Sequence, residues 1–208
     1  MSWAGCVGIA IPPSIYSRKL GGFKMVSRDE ALNILKKNLK NKNLRKHCLA
    51  AEAIMRKLAE HFGEDKELWG MAGLLHDIDY EETHDDPNRH SLVGGEMLAE
   101  MGFPEELVHA VKAHNEVHGI ERESLLDKAL YAVDPLTGLI VAAALIKPEK
   151  KLAAIDVNFI LNRFKEKSFA RGASREQIQC CSELGLELEE FIEIGLKAMQ
   201  EIADDLGL

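Results

Sequence analysis

Aromatic side chains make up only 6% of this 208-residue sequence, and no stretch alternates polar and apolar residues as a half-buried β-strand would. Alanine, leucine, glutamate and lysine are abundant instead, and all four favour helices. Hydrophobic residues at 46% and charged residues at 29% are ordinary for a globular protein. The composition therefore predicts an all-α fold.

Cysteine is also scarce, and the positions of the cysteines exclude the common cysteine motifs. The four are Cys6, Cys48, Cys180 and Cys181, and no two of them form a C-x-x-C pair. The adjacent Cys180 and Cys181 do not suit a disulfide bridge with each other. We interpret all four as reduced thiols, which predicts a cytoplasmic protein.

Positive charge is in deficit, with 26 Lys and Arg against 34 Asp and Glu and a net charge of −8. A broad surface for a nucleic-acid backbone needs clustered Lys and Arg, so we predict no extended nucleic-acid surface. A small phosphorylated substrate remains compatible, because a bound metal ion can outweigh the net charge locally.

The N-terminal stretch "GCVGIAIPPSIY" has no basic residues before it and is too short to cross a bilayer. It predicts neither a signal peptide nor a membrane anchor. Ser27 and Glu30 in "MVSRDEALNIL" fit a capping box that opens a helix. Our hypothesis is that residues 1–24 are a disordered extension or precede the true translation start, and that the folded core occupies residues 25–147.

Helical periodicity dominates the rest of the chain, interrupted at Gly63, Gly102, Gly119 and Pro148. We predict a C-terminal helical subregion, 148–208, packed on the core. Its amphipathic tail covers the core or forms the interface of a homodimer. The predicted helices span 28–39, 43–62, 66–77, 90–101, 105–116, 123–146, 154–164 and 175–204.

Four histidines, placed on an inward face or near the end of a helix, are candidates for a shared site. His47 lies beside the apolar stripe of its helix, and His114 follows the stripe of the 105–116 helix. His90 opens a helix whose Gly94 and Gly95 indicate close packing. The fourth is His76, described next, whereas His109 and His118 are expected to face solvent.

The stretch "GLLHDIDYEETHDD" ends an apolar helix with the adjacent His76 and Asp77. Neighbouring residues of a helix point about 100° apart. The two side chains therefore cannot share one direction, but they can straddle an ion seated between helices.

Asp134 lies in "ALYAVDPLTGLIVAAALI", which is apolar nearly all round and predicts a buried helix. A bare carboxylate there is costly unless a cation accompanies it. The alternative is that Asp134 caps a helix with Pro135 at its first position. The two interpretations can hold together.

The ordered set resembles the HD superfamily of metal-dependent phosphohydrolases, whose pattern is H…HD…D in an all-α domain. The matching segments are "NLRKHCLAAE", "GLLHDIDYE" and "LYAVDPLTGL", within residues 25–147. The resemblance implies an HD-domain helical bundle with additional C-terminal helices. It also implies one or two divalent transition-metal ions, drawn from Fe, Mn, Ni, Zn or Co.

By this resemblance, one ion would be held by His47, His76, Asp77 and Asp134. Asp77 would bridge to a second ion held by His90 and His114, and would also be the candidate catalytic residue. The implied activity is cleavage of a small phosphomonoester or phosphodiester, such as a nucleotide, by metal-activated hydroxide.

The sequence offers three further residues for supporting roles at this site. Arg89 and Lys112 are candidates for binding substrate phosphate, or are ordinary solvated surface charges. Asp79, three residues after His76, is expected to orient the His76 ring.

Two other functions fit the same ligands. One is a di-iron oxygenase on the same scaffold, and the other is a metal-binding sensor or interaction protein without catalysis. The G-Y-P tripeptide of the cyclic-dinucleotide branch is missing from this sequence.

Overall fold

A computed structural model describes residues 26–208 of the chain. The hypothesis about residues 1–24, and the interpretation of Cys6, lie outside the described residues. Cys48, Cys180 and Cys181 are free thiols in the structure.

The described residues form helices joined by turns and contain no β-strand, which confirms the all-α prediction. Short 3₁₀ turns occur at Glu116–His118, Leu152–Ala154 and Cys180–Leu184. The α-helices are α1 Arg28–Asn38, α2 Lys42–Phe62, α3 Lys66–Leu75, α4 Tyr80–Thr83, α5 Leu92–Glu100, α6 Glu105–Ala113, α7 Leu125–Leu145, α8 Val157–Lys165, α9 Arg175–Gln179, α10 Leu188–Glu201 and α11 Ala203–Leu206.

Local signals in the sequence set where the first helices begin and end. The capping box of Ser27 and Glu30 forms as predicted, with each side chain bonded to the other's backbone N–H. α2 ends at Gly63, whose φ of +73° is readily adopted by glycine. Asp65 then caps α3 through the backbone N–H groups of Glu67 and Leu68.

α7 is the central helix of the fold. It contacts α2, α3, α6, α8, α9 and α10, and most of its side chains are buried. By length and composition α7 would also suit a membrane span, but 67% of its most apolar window is buried inside this structure. Its apolar surface is thus used in the core.

The contact between α2 and α3 is the most extensive between two helices in the structure. A Cβ atom at Gly73 would lie 2.8 Å from the backbone of Ala51, so the helices approach more closely than any larger residue allows. This approach brings His47 of α2 beside His76 at the end of α3.

The prediction of one helix over 175–204 is wrong. α9 ends at Gln179 and is followed by a 3₁₀ turn that closes at Gly185, whose φ is +76°, and α10 begins only at Leu188. The apolar face of α10 is nevertheless buried, with Phe191 and Met199 inaccessible to solvent. The amphipathic tail therefore covers the core as several short segments.

Candidate metal centre

Six predicted ligand residues from separate parts of the fold come together beside α7. Each is placed at a helix end or on a face turned inward: His47 on α2, His76 and Asp77 directly after α3, His90 just before α5, His114 directly after α6, and Asp134 in the middle of α7.

The first cluster forms around His47. Its Nε2 atom lies 3.1 Å from Nε2 of His76 and 3.1 Å from Oδ1 of Asp134. The carboxylate of Asp77 is also close, with its Oδ2 atom 3.5 Å from Nε2 of His47. Three nitrogen or oxygen donors from His47, His76 and Asp77 lie within 4.8 Å of one another.

The second cluster shares Asp77 with the first. Oδ1 of Asp77 lies 3.4 Å from Nε2 of His90 and 3.6 Å from Nε2 of His114. These donors also lie within 4.8 Å of one another. Asp77 is thus the single carboxylate common to both groups, as a bridging ligand must be.

The four histidines are oriented so that each presents Nε2 to the centre and Nδ1 to a partner outside it. Nδ1 of His76 donates to the Gly73 carbonyl at 2.9 Å, and Nδ1 of His114 donates to the Val111 carbonyl at 2.6 Å. Carbonyl oxygens only accept, so both of these Nδ1 atoms carry hydrogen.

His47 and His90 are held in the same way by side chains. Nδ1 of His47 lies 2.7 Å from the Thr137 hydroxyl, which itself donates to the carbonyl of Asp134 and is left to accept from His47. Nδ1 of His90 lies 3.1 Å from Oδ1 of Asp79. An imidazole held through Nδ1–H with a free Nε2 lone pair is the usual arrangement of a metal ligand. The residues therefore fit divalent transition-metal ions.

Asp79 orients His90, and the expectation that it would orient His76 is wrong. Residues 76–79 form turns after α3, so Asp79 is not one helical turn beyond His76. Its second oxygen accepts from the backbone N–H groups of Ser91 and Gly94. Ser91 has a φ of +70°, and these bonds hold that strained residue next to His90.

The glycines near the site have the packing role that the sequence indicated. A Cβ at Gly94 would lie 3.1 Å from the Asp79 carboxylate, and a Cβ at Gly95 would overlap the Lys112 side chain. Because neither glycine has a side chain, α5 can approach Asp79 and α6 closely.

The charges of the centre shift the pKa values of its members. Burial acts to raise the pKa of Asp77, but the charge of His76 and the hydrogen bond from His114 hold it well below its ordinary value. Burial acts to lower the pKa of His76, but Asp77 and Asp134 raise it to about 9. Without a metal ion, the centre therefore holds a proton on His76 between ionised carboxylates.

The interpretation of Asp134 as a helix N-cap is wrong. α7 begins at its capping residue Ser124 and continues through Pro135 to Leu145. Asp134 is therefore an interior helix residue, and its carboxylate faces His47 and His76. Proline lacks an N–H, so the Tyr131 carbonyl opposite it loses its helical partner.

Arg89 and Lys112 do not extend into the two clusters. Arg89 donates to Glu82 at 2.7 Å on the surface, and the Lys112 side chain lies along Gly95. The acidic residues after the doublet are also engaged elsewhere, since Glu81 accepts from the backbone N–H groups of Lys40 and Asn41. A role for Arg89 and Lys112 in binding phosphate remains a prediction.

Sequence reasoning missed several supporting residues. Thr137 gave no signal beyond its position three residues after Asp134, where a side chain turns back to the same face. His118, expected to face solvent, contacts the His90 carbonyl through Nε2 at 2.7 Å. His109, also expected to face solvent, is only partly exposed, and its Nδ1 atom lies 3.1 Å from Oδ2 of Asp127.

The comparisons with known proteins agree with this geometry. The family model described as HD domain matches residues 44–155, which include all six ligand residues. An uncharacterized protein of Methanocaldococcus jannaschii is 37% identical over 113 residues, or 52% of this chain and 64% of that protein. Ribonuclease Y of Lawsonia intracellularis is 30% identical over 137 residues, or 64% of this chain and 26% of that protein.

Ribonuclease Y of Fusobacterium nucleatum is similar to the same extent, at 31% identity over 137 residues and 27% of its length. The chain thus spans about a quarter or less of the ribonuclease Y proteins that it matches. The family match covers more than half of the present chain and contains the two ligand groups that share Asp77. The chain therefore belongs to the HD domain family.

Proposed function

We propose that this protein is a metal-dependent phosphohydrolase that cleaves a phosphodiester of nucleotide size. The observation that carries the proposal is the pair of ligand groups sharing Asp77, with four imidazoles fixed through Nδ1 and open at Nε2. Divalent ions held there would supply an activated water molecule and neutralise charge at the phosphoryl group.

The residues of the chain contribute orientation and charge. Asp77 remains ionised because His76, His114 and His47 hold its pKa low, so its carboxylate is available as a bridging ligand. Asp134 is more exposed than Asp77 and borders the cavities on both sides of the centre. A phosphoryl substrate can therefore approach the centre from the side of Asp134.

The relatives and the charge of the chain support different parts of the substrate assignment. The name ribonuclease Y, carried by several relatives, indicates a phosphodiester linkage between nucleotides. The net charge of −8 favours a short substrate over a long nucleic acid, because a long backbone would need many cationic contacts.

The test is hydrolysis of bis(4-nitrophenyl) phosphate and of a panel of short oligonucleotides and nucleoside phosphates by protein loaded with Mn, Fe, Co, Ni or Zn. We expect release of nitrophenolate with at least one of these metals. Asp77→Asn should abolish it, and His84→Ala, at an exposed histidine outside the centre, should not. Inactivity of every metal-loaded form on the whole panel would contradict the proposal.

A further inference from the structure

A cavity of about 390 Å³ lies against the metal centre on the side of Asp134. Two ligand residues, His47 and Asp134, form one end of it. The other walls are the second half of α7, which supplies Pro135 and Gly138, and the segment from 170 to 177. That segment lies outside the residues matched by the family model, so this wall belongs to the C-terminal part of this chain.

Gly138 keeps part of this cavity open. It lies in the interior of α7, where a glycine costs about 1 kcal/mol relative to alanine. A Cβ built at Gly138 would meet no atom within 4 Å, and its φ is not in the left-handed region. Neither packing nor backbone geometry therefore requires glycine at this position, and the open space beside it is part of the cavity.

The opposite wall is fixed by Arg175. The five N–H groups of its guanidinium lie among six backbone carbonyls of the segment 163–173, at N···O distances from 2.6 to 3.4 Å, so at least one N–H is shared between two carbonyls. One of them belongs to Ala170, which has a φ of +44° and lines the cavity. An irregular segment held by so many bonds, with a strained residue at the cavity, is preorganised.

The lining restricts the chemistry of the occupant. Apart from the predicted metal ligands it contains no charged side chain, so it offers no cationic side chain to a second phosphate. The Thr137 hydroxyl is already bonded to His47 and Asp134, which leaves few partners for the hydroxyls of a sugar. The remaining surface is Pro135, Gly138, Ala142, Ala170, Gly172 and Ala173.

Gln177 is the one amide in this lining. It also borders the smaller cavity on the other side of Asp134, formed with His90 and His114. Its side chain makes no hydrogen bond within the described part of the chain, although its backbone N–H is bonded to Ser174. An amide both donates and accepts, which matches the polar edge of a nucleobase.

We infer that this cavity binds the nucleobase of the substrate and that Gln177 is the residue that recognises its polar edge. The inference rests on the proposed function and extends it to specificity. A nucleobase has apolar faces for the alanine, glycine and proline surface and one polar edge for the amide. Selection of the substrate would thus come from the C-terminal segment, and hydrolysis from the family core.

The test measures binding of adenosine, guanosine, cytidine and uridine to the purified protein by isothermal titration calorimetry. At least one nucleoside should bind. Gly138→Leu, which fills the cavity, and Gln177→Ala should each weaken that binding about tenfold or more. Gln179→Ala, an exposed residue on the same helix, is the matched control and should bind as the unmodified protein does.

Nucleosides carry no phosphate, so their binding is independent of hydrolysis of bis(4-nitrophenyl) phosphate, and the two proposals can fail separately. Thermal melting checks that Gly138→Leu is folded, and we expect no fall in its melting temperature because the position faces open space. Failure of all four nucleosides to bind the unmodified protein, or equal binding to Gly138→Leu, would overturn the inference.

Discussion

At the scale of single residues, the centre depends on the groups that hold each imidazole as much as on the imidazoles. Asp79 is 2% exposed and bonds to Ser91, Gly94 and the Nδ1 atom of His90. It does not touch the His47 and His76 group. A change at Asp79 should therefore act on one half of the centre.

We expect Asp79→Asn to weaken metal binding at the His90 and His114 position about 10–100-fold, because loss of such an orienting partner typically has this effect. The binding of the other ion should change less. A two-site titration followed by metal absorption spectra with Co²⁺ separates the two. Asp85→Asn, at an exposed aspartate in the same stretch, is the control. Equal weakening of both positions would contradict the assignment.

The proton on His76 predicts how metal binding depends on pH. The pKa of His76 is raised to about 9 in the folded protein, from 6.5. A raised pKa stabilises the metal-free fold below about pH 6.5, and this stabilisation is lost as the pH rises through 9. A metal ion must displace the proton, so metal affinity should increase from pH 6.5 to 9 with proton release.

Calorimetry in buffers of different ionisation enthalpy counts the protons released on metal binding. We expect release that diminishes toward pH 9, and an apparent affinity that rises over the same interval. An affinity independent of pH across this interval would show that His76 is not a ligand in the form described.

At the scale of helices, the close contact of α2 with α3 determines the distance between His47 and His76. The backbone of Ala51 leaves no space for a Cβ at Gly73. We expect Gly73→Ala to separate the helices, to reduce the free energy of unfolding by about 1–3 kcal/mol and to weaken metal binding.

The matched control is Gly138→Ala, since both glycines lie within helices and only Gly73 is enclosed. Gly138→Ala should leave stability unchanged or raise it by up to about 1 kcal/mol. Chemical denaturation and metal titration of both variants provide the comparison. Equal stability and metal affinity of Gly73→Ala and the unmodified protein would mean that the helices can shift without cost.

The segment between α8 and α9 depends on one side chain. A lysine at position 175 keeps the charge but loses the planar fork of five N–H donors. We expect Arg175→Lys to speed amide hydrogen exchange in residues 166–174 and to leave α2 and α3 protected. Arg171→Lys, at an exposed arginine in the same segment, should change neither. Unchanged exchange in Arg175→Lys would remove the argument for a preorganised wall.

Periodicity predicted the helices that pack against the core on one face, and it failed where tertiary contacts decide. α2 and α7 agree with their predictions to within a few residues. The apolar positions of α2 recur at helical spacing, whereas α7 is apolar nearly all round over its 21 residues. The break between α9 and α10 was not predicted, because the segments on both sides of it keep an apolar face toward the core.

The predicted ligand residues could be identified from the sequence because each carries a metal-binding side chain in a segment that resembles the HD pattern, and the structure brings these side chains together. The residues that orient or surround these side chains could not be predicted, because their positions depend on turns of the chain. Asp79 reaches His90 only because the chain turns after α3, and Gln177 lies near Asp134 only because the C-terminal segment folds back over α7. Neither contact has a sequence spacing that periodicity can detect.

At the scale of the whole molecule, the metal centre joins parts of the chain that are far apart in sequence. Ligands come from positions 47 to 134, on or beside α2, α3, α5, α6 and α7. An ion that binds only the folded chain stabilises it by about 2.7 kcal/mol at a hundredfold excess over its dissociation constant. Metal ions bound at the centre would therefore stabilise the fold as well as take part in the proposed chemistry.

The central claim is that two groups of ligands sharing Asp77 bind metal ions. The most direct measurement is elemental analysis of protein purified without chelator, beside Asp77→Ala and the control His84→Ala. The account predicts about two equivalents of transition metal per chain in the unmodified protein and in the control, and loss of both in folded Asp77→Ala. An unmodified protein that neither contains nor takes up metal, or an Asp77→Ala variant that binds the same amount, would contradict it.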